Sequence, residues 1–379
     1  MANKTFTDDV TCQNLHKTPD GILMTFDTSS YDLSIDFIKG LCILLVVWTH
    51  CFGDIISNFL FFDLWGYPAV PLFLLIQVFH AYKKGTENVK KVSIKKLWER
   101  IIMPFAILMV VTLAIRLAFS PHTAIETIKT SIKEGGYGAG SYYPYIYVEF
   151  ALLLPLLITV FQKIKSKMTL GAVFTVTSIV LEIFCNLVNM PVWLYRLLCF
   201  RYFFIVYLGW LSVGKSLKIN KLTIVLSILS AIAILYARFI GHQFSHFPDN
   251  IRNILIPIFN QDFTPFVYPA WPQAHWFCYI WDCYLYLFIV LMLYKFVSKY
   301  EKISKLFQQI GKYSYEIFLF QMFYFSFSHE VVYDSAKVFF DDKILARVAY
   351  IICSTVVCIG VVLLWKKNRE KKQSHITAS

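Results

Sequence analysis

Charge is scarce in this 379-residue chain: Asp, Glu, Lys and Arg make up 16% of it, against 57% hydrophobic and 18% aromatic residues. A soluble core cannot hide that much apolar surface, so a soluble globular domain is excluded. None of the nine cysteines pairs in a Cys-x-x-Cys, and most fall inside apolar runs. They read as small packing residues, not as a disulfide frame or zinc site. His242, His246 and His275 fall in or beside a polar stretch, and no metal site is expected of them. The glycine-rich Gly135-Gly136-Tyr137-Gly138-Ala139-Gly140 follows no strand, which argues against a dinucleotide-binding loop and reads as a flexible hinge. No internal repeat is visible, which disfavours inverted-repeat transporter folds. The first thirty residues are polar and lack an apolar core before a small-residue cleavage site, so no removed secretory signal is expected.

What the chain has instead is a series of apolar runs, at about 33–53, 67–82, 100–119, 143–162, 168–188, 199–214, 222–240, 273–295, 312–329 and 344–365, several of them 18 residues or more and long enough to cross about 30 Å of hydrocarbon as a helix. The net charge of +12 would raise nucleic acid in a soluble protein. Here the basic residues sit in alternate connections, and no nucleic-acid partner is expected. Lys83-Lys84, Lys90-Lys91, Lys95-Lys96 and Arg100 follow the second run and mark a cytoplasmic loop. Similar clusters at Lys163 to Lys167, Lys215 to Lys221 and Lys295 to Lys305 extend the alternation. The expected fold is an all-α polytopic membrane helix bundle of about ten transmembrane helices with both termini cytoplasmic. Residues 1–32 are expected to form a polar cytoplasmic lead-in, 33–365 the transmembrane domain and 366–379 a basic cytoplasmic tail. The lipid bilayer is the surrounding partner, and the cytoplasmic membrane the expected location.

The first run, Ser34 to His50, puts Asp36, Lys39 and His50 into an otherwise apolar helix. Ionisable groups in spans are costly and usually face a bundle interior or a water-filled path. At 100° per residue, Lys39 and His50 lie about 20° apart around the helix, with Asp36 within roughly 60° of both. Along the axis they are about 16 Å apart. A ligand lying along this helix would touch both ends of the stripe. Plain readings stand beside that one: Lys39 snorkelling to the interface, Asp36 as its ion-pair partner, His50 as an interfacial histidine.

Asp36-x-x-Lys39-Gly40, with His50 eleven residues after the lysine, resembles the first span of acyltransferase family 3, with Lys where Arg is commoner. Further motifs follow in order. Val70-Pro71-Leu72-Phe73-Leu74-Leu75-Ile76 is similar to the family's second span, with Gln77-Val78 where Ser-Gly is usual. Arg100-Ile101-Ile102-Met103-Pro104 matches the start of its third, although Leu97, with Lys96 beside it, replaces an expected arginine. Ile310-Gly311-Lys312-Tyr313-Ser314-Tyr315 through Gln321 resembles a later span, with Gln321 where histidine is usual. The resemblance implies an integral-membrane O-acetyltransferase that moves an acyl group from acyl-CoA, here acetyl-CoA, to an extracytoplasmic surface polysaccharide or lipid-linked glycan.

On that reading Arg100, Lys96 and Lys39 hold the coenzyme's phosphates, and the pantetheine arm runs up the stripe. His50 acts as general base, or through an acyl-imidazole, and Asp36 holds Lys39 or tunes the site. Glu149, Glu182, Arg201 and Asp282 lie in outward halves of spans and read equally as structural ion pairs. Glu149 is the first choice among them to orient His50 or bind sugar hydroxyls, because Tyr142, Tyr143, Tyr145 and Tyr147 form an aromatic lip before it. A glycan transporter or flippase is the alternative from another class.

Overall fold

The computed structural model describes residues 15–18, 21–25, 33–60, 62, 66, 69–81, 92–119, 124–133, 137–164, 166–187, 194, 197–199, 202–212, 216–219, 221, 224–225, 227–229, 231–232, 293, 296–297 and 299–378. The central element is α1 (Leu33–Cys51), with Asp36 in its first turn and His50 in its last. Phe37, Cys42, Ile43 and Val47, which cover several directions around the helix, are all fully buried. A helix that is apolar on nearly every side belongs inside a bundle.

Its most extensive neighbour is α9 (Glu301–Lys312), which crosses it at two glycines. A Cβ on Gly311 would stand 1.7 Å from the Asp36 carbonyl oxygen, and one on Gly40 would stand 2.0 Å from that of Phe307. The two backbones therefore touch, as small residues allow between helices that lack a strong hydrophobic drive to associate. Phe37 and Phe307 pack beside the crossing with ring centroids 5.2 Å apart.

Among the described residues, three more helices pack against α1: α3 (Ala69–Ala81), α10 (Ser314–Phe325) and α12 (Lys343–Ala378), the last preceded by the short α11 (Asp334–Phe339). A short helix, α2 (Asp54–Phe59), follows α1. Further helices are α4 (Ile94–Phe119), α5 (Ala124–Lys133), α6 (Tyr143–Lys163), α7 (Lys167–Leu187) and α8 (Phe203–Ser212), the last packed on α3 with Phe204 to Leu208 all buried. On α6, Ile146, Phe150, Leu154, Ile158 and Phe161 form one buried face at helical spacing, while Leu152, Leu156 and Val160 are exposed. On α12, Ile352, Val356 and Leu364 are likewise exposed. Outward apolar faces of this length belong in lipid. Ile94–Phe119, Tyr143–Lys163 and Lys343–Gln373 are each long and apolar enough to cross a bilayer.

The helical bundle is thus as expected, with one addition. Strands β1 (Leu15–Thr18) and β2 (Gly21–Thr25) form an antiparallel hairpin in the lead-in, and β3 (Ser216–Ile219) extends it, pairing Ile22 with Ile219 and Thr25 with Ser216. Residues 301–312, expected in a cytoplasmic loop, are the helix that crosses α1, because the polar side of an amphipathic helix hid its packed side. The span expected from 312 is interrupted at Tyr313. The last helix runs on through the basic segment to Ala378. The spans expected at about 222–240 and 273–295 fall largely outside the described residues.

The crossing makes a testable demand. Gly311→Ala must push two backbones apart, a cost at or above the ~1–3 kcal/mol of ordinary overpacking. Gly360→Ala, where a Cβ meets nothing within 4 Å, is the matched control. Thermal unfolding of the detergent-purified variants should show a lowered transition for the first and none for the second.

Candidate functional site

Where α1, α3, α4, α6 and the α9–α10 junction converge, they leave a cavity of about 580 Å³. Lys39 and Val46 line it from α1, Phe73, Gln77 and His80 from α3, and Glu99, Arg100, Ile101 and Pro104 from α4. Tyr143 and Tyr147 come from α6, and Lys312, Tyr315, Glu316 and Phe318 from the junction. A second cavity of about 550 Å³ shares Gln77, His80, Arg100, Ile101 and Tyr147, and adds Ser93, Lys96 and Pro155.

Local chemistry explains how α4 reaches this wall. Pro104 has no N–H to give the turn before it, and the helix widens into a π turn over Trp98–Ile102 that contains Arg100. The Ile101 carbonyl accepts a hydrogen bond of 2.7 Å from the Tyr315 hydroxyl. The Ile-x-x-Pro and Ser-Tyr motifs, far apart in the chain, are therefore bonded to each other. The break at Tyr313 lets Lys312 and Glu316 both line the cavity. From outside, α12 braces them: Lys366 donates to Glu316 at 2.5 Å, and Lys312 to Glu370 at 3.2 Å.

The sequence-predicted cations are brought together. Lys39 and Arg100 share the first cavity, and Arg100 and Lys96 the second. Lys39 is held by Asp36 at 3.0 Å, with side chains 18% and 5% exposed. Arg100 and Lys96 are exposed. The first cavity also carries two carboxylates, of which Glu99 lies 3.9 Å from Lys95 and Glu316 is paired with Lys366.

His50 is not part of this wall. Val46, one turn earlier and about 6 Å away along the axis, is the last α1 residue on the cavity. The imidazole is partly buried, 5.6 Å from the Phe325 ring between centroids. The next carbonyl, that of Cys51, accepts a hydrogen bond of 3.4 Å from Arg347, whose guanidinium lies 3.8 Å over the Tyr333 ring. Asp36 is about 21 Å from His50 along the helix and reaches Lys39 instead. Glu149 accepts the Cys199 backbone N–H at 2.9 Å, a structural contact, and does not line either cavity. Arg201, Asp282 and His242, His246 and His275 lie outside the described residues, as does the side chain of Glu182.

The aromatic lip is divided: Tyr143 and Tyr147, one turn apart, face the cavity, while Tyr145 is exposed and packs edge-on against Phe105. Of the stretch read as a flexible hinge, Tyr137 to Gly140 is packed against the bundle, and Gly135 and Gly136 lie outside the described residues. Gly138 and Gly140 take φ of 103° and 80°, conformations that favour glycine, and sit against Met322, Ser326 and Phe318. Gln321 is fully buried and donates its amide to the Ala139 carbonyl at 3.1 Å, so the residue that replaces histidine holds this turn. Among the wall residues given no role from sequence are Lys312, Tyr315 and Gln77, all three in or beside the quoted motifs. Among the described residues, no group of three or more His, Cys, Asp or Glu could hold a metal ion.

Breaking the buried pair by Asp36→Ala should lower stability by about 3 kcal/mol, because Lys39 is left without its carboxylate. Asp36→Ala combined with Lys39→Ala should cost less than the two single losses added, which denaturation of all three variants will read.

The family model described as an acyltransferase domain matches residues 32–365 of this chain. No curated protein and no solved structure matches it.

Proposed function

This chain belongs to acyltransferase family 3 and is a membrane acyltransferase, and from that premise we propose that it moves an acetyl group from acetyl-CoA to a hydroxyl of a surface polysaccharide or lipid-linked glycan. The protein sits in the cytoplasmic membrane with the Lys39 end of α1 toward the cytoplasm. The observation that carries the reading is one cavity whose wall holds Lys39, Arg100 and Lys312 together with the apolar Val46, Phe73 and Phe318. Phosphates need cations, and the acyl arm needs a narrow route between apolar side chains.

In this reading the coenzyme's phosphates rest on Arg100, Lys312 and Lys96, and Asp36 fixes Lys39 at the wall. The arm extends along α1 as far as Val46, and the thioester comes within one helical turn of His50. The hydroxyl oxygen of the glycan attacks the thioester carbonyl while His50 takes the hydroxyl proton. The carbon–sulfur bond then breaks, and the proton passes to the leaving thiolate. Glu149 keeps its bond to the Cys199 amide and takes no part.

Purified protein should bind labelled acetyl-CoA saturably, as a flippase for glycans would not. His50→Ala should keep that binding and lose transfer of label to the glycan fraction of membranes by at least about 100-fold, the scale of positioned general bases. Arg100→Ala should weaken binding by about tenfold. Full transfer by the His50 variant would contradict the mechanism, and absence of donor binding by the wild type would contradict the function.

A further inference from the structure

The short helix α5 takes no part in the cavities, and its surface is divided in a way that packing on the bundle does not explain. It follows α4, which turns Met103, Ile107, Val110, Ala114 and Ala118 outward as one stripe of exposed apolar residues at helical spacing. That stripe is the lipid-facing side of a helix long enough to cross a bilayer. From Arg100 to Phe119 the helix rises about 28 Å, close to the ~30 Å of hydrocarbon in a membrane. Phe119 is 82% exposed. The chain therefore reaches the membrane boundary remote from Arg100 just before α5 begins. As a helix of ten residues, α5 is about 15 Å long and too short to cross.

Its residues sort into three faces. Ser131 is 6% exposed and donates its hydroxyl to the Thr127 carbonyl at 2.7 Å, so this side is turned to the protein, where α5 packs on α4. Ile125, Ile128 and Ile132 are 69%, 40% and 72% exposed and lie within about 60° of one another around the axis. Thr130, also exposed, stands roughly 170° from the middle of that row. Glu126 and Lys129, paired at 2.8 Å, lie on the polar side between them. A helix with one face on protein, one row of aliphatic side chains and one charged side suits the boundary between acyl chains and water. The row carries none of the aromatic, Met or Arg anchors that mark a protein partner, and it lies at the end of a lipid-facing surface already present on α4.

We propose that α5 is an interfacial helix whose partner is the lipid bilayer: Ile125, Ile128 and Ile132 enter the leaflet at the acyl-chain boundary, and Glu126 and Lys129 stay among the headgroups. This placement is independent of the chemistry at the cavities. Because α5 leads on to the glycine turn that Gln321 holds, its anchoring sets the depth of that turn in the membrane.

The test uses the full-length protein in phosphatidylcholine nanodiscs, with the photoreactive residue p-benzoylphenylalanine encoded at one position. The positions are Ile128 or Ile132 in the row, Thr130 opposite, and Leu156 of α6, 63% exposed on a membrane-crossing helix, as the reference for lipid contact. After irradiation, intact-protein mass spectrometry should show phospholipid adducts at 128 and 132 with a yield comparable to that at 156, and a loss of the adduct at 130. Equal lipid labelling at 128 and 130 overturns the proposal, as does its absence at 128 while 156 reacts. Cross-links from 128 to a second copy, or to another segment of the same chain, overturn it too, because protein then covers the row. Should the substituted proteins not fold, the wild type decides alone. A phosphatidylcholine with a diazirine near the carbonyl end of its acyl chain should label Ile125, Ile128 or Ile132 in the peptide that contains α5, and labelling confined to Thr130 and Glu126, or none in that peptide, overturns the proposal.

Discussion

The contact on which the rest depends is the backbone crossing of α1 and α9 at Gly40 and Gly311. Because no Cβ fits at either place, the two helices approach until main chain meets main chain, and the depth of every side chain along α1 is set from there. Lys39 immediately precedes one glycine and Lys312 immediately follows the other, so both cations are delivered to the same cavity by the crossing that brings the helices together. The buried Asp36 carboxylate, one turn below Gly40, then fixes the direction of Lys39. Packing and charge placement are one constraint here, since shifting either helix by a residue would separate them.

The motifs interlock in a way their order along the chain does not reveal. Asp36-x-x-Lys39-Gly40 touches Gly311; Ile101, ahead of Pro104, takes the Tyr315 hydroxyl; and Gln77, beyond the Val-Pro-Leu-Phe segment, bonds to Tyr147. Each motif supplies one wall and leans on another motif. Those contacts explain why a chain with so few charged residues concentrates so many at one end of its bundle, where α12 adds Lys366 and Glu370 as outer braces. The His50 end is built differently, from aromatic rings and Arg347.

Much of this was legible in the sequence because the bilayer imposes simple rules. Apolar length gave the helices α1, α3, α6 and α7 to within two residues at each end, and the 3.6-residue period put Asp36 beside Lys39. The α9 helix was hidden because hydropathy averages over its two faces, and only three-dimensional packing shows that Gly311 and Ile310 are buried. Gln77 and Gln321 were visible only as departures from a pattern, since a lone polar residue in an apolar run does not announce its partner. The partner of the Glu149 carboxylate, a backbone amide fifty residues later, carries no sequence signal at all. Periodicity also aligned Lys39 with His50 on one stripe, but it could not show that the open space ends at Val46.

That gap defines the central claim: the donor lies in the cavity between Lys39 and Val46 and presents its thioester across the last turn to His50. Photo-crosslinking with an acyl-CoA that carries a diazirine on its acyl chain, followed by peptide mapping, addresses it most directly. The account predicts adducts confined to the α1 segment from Val46 to His50 and the facing part of α10. Adducts found only on lipid-facing residues such as Leu152, Leu156 or Val356 would contradict it.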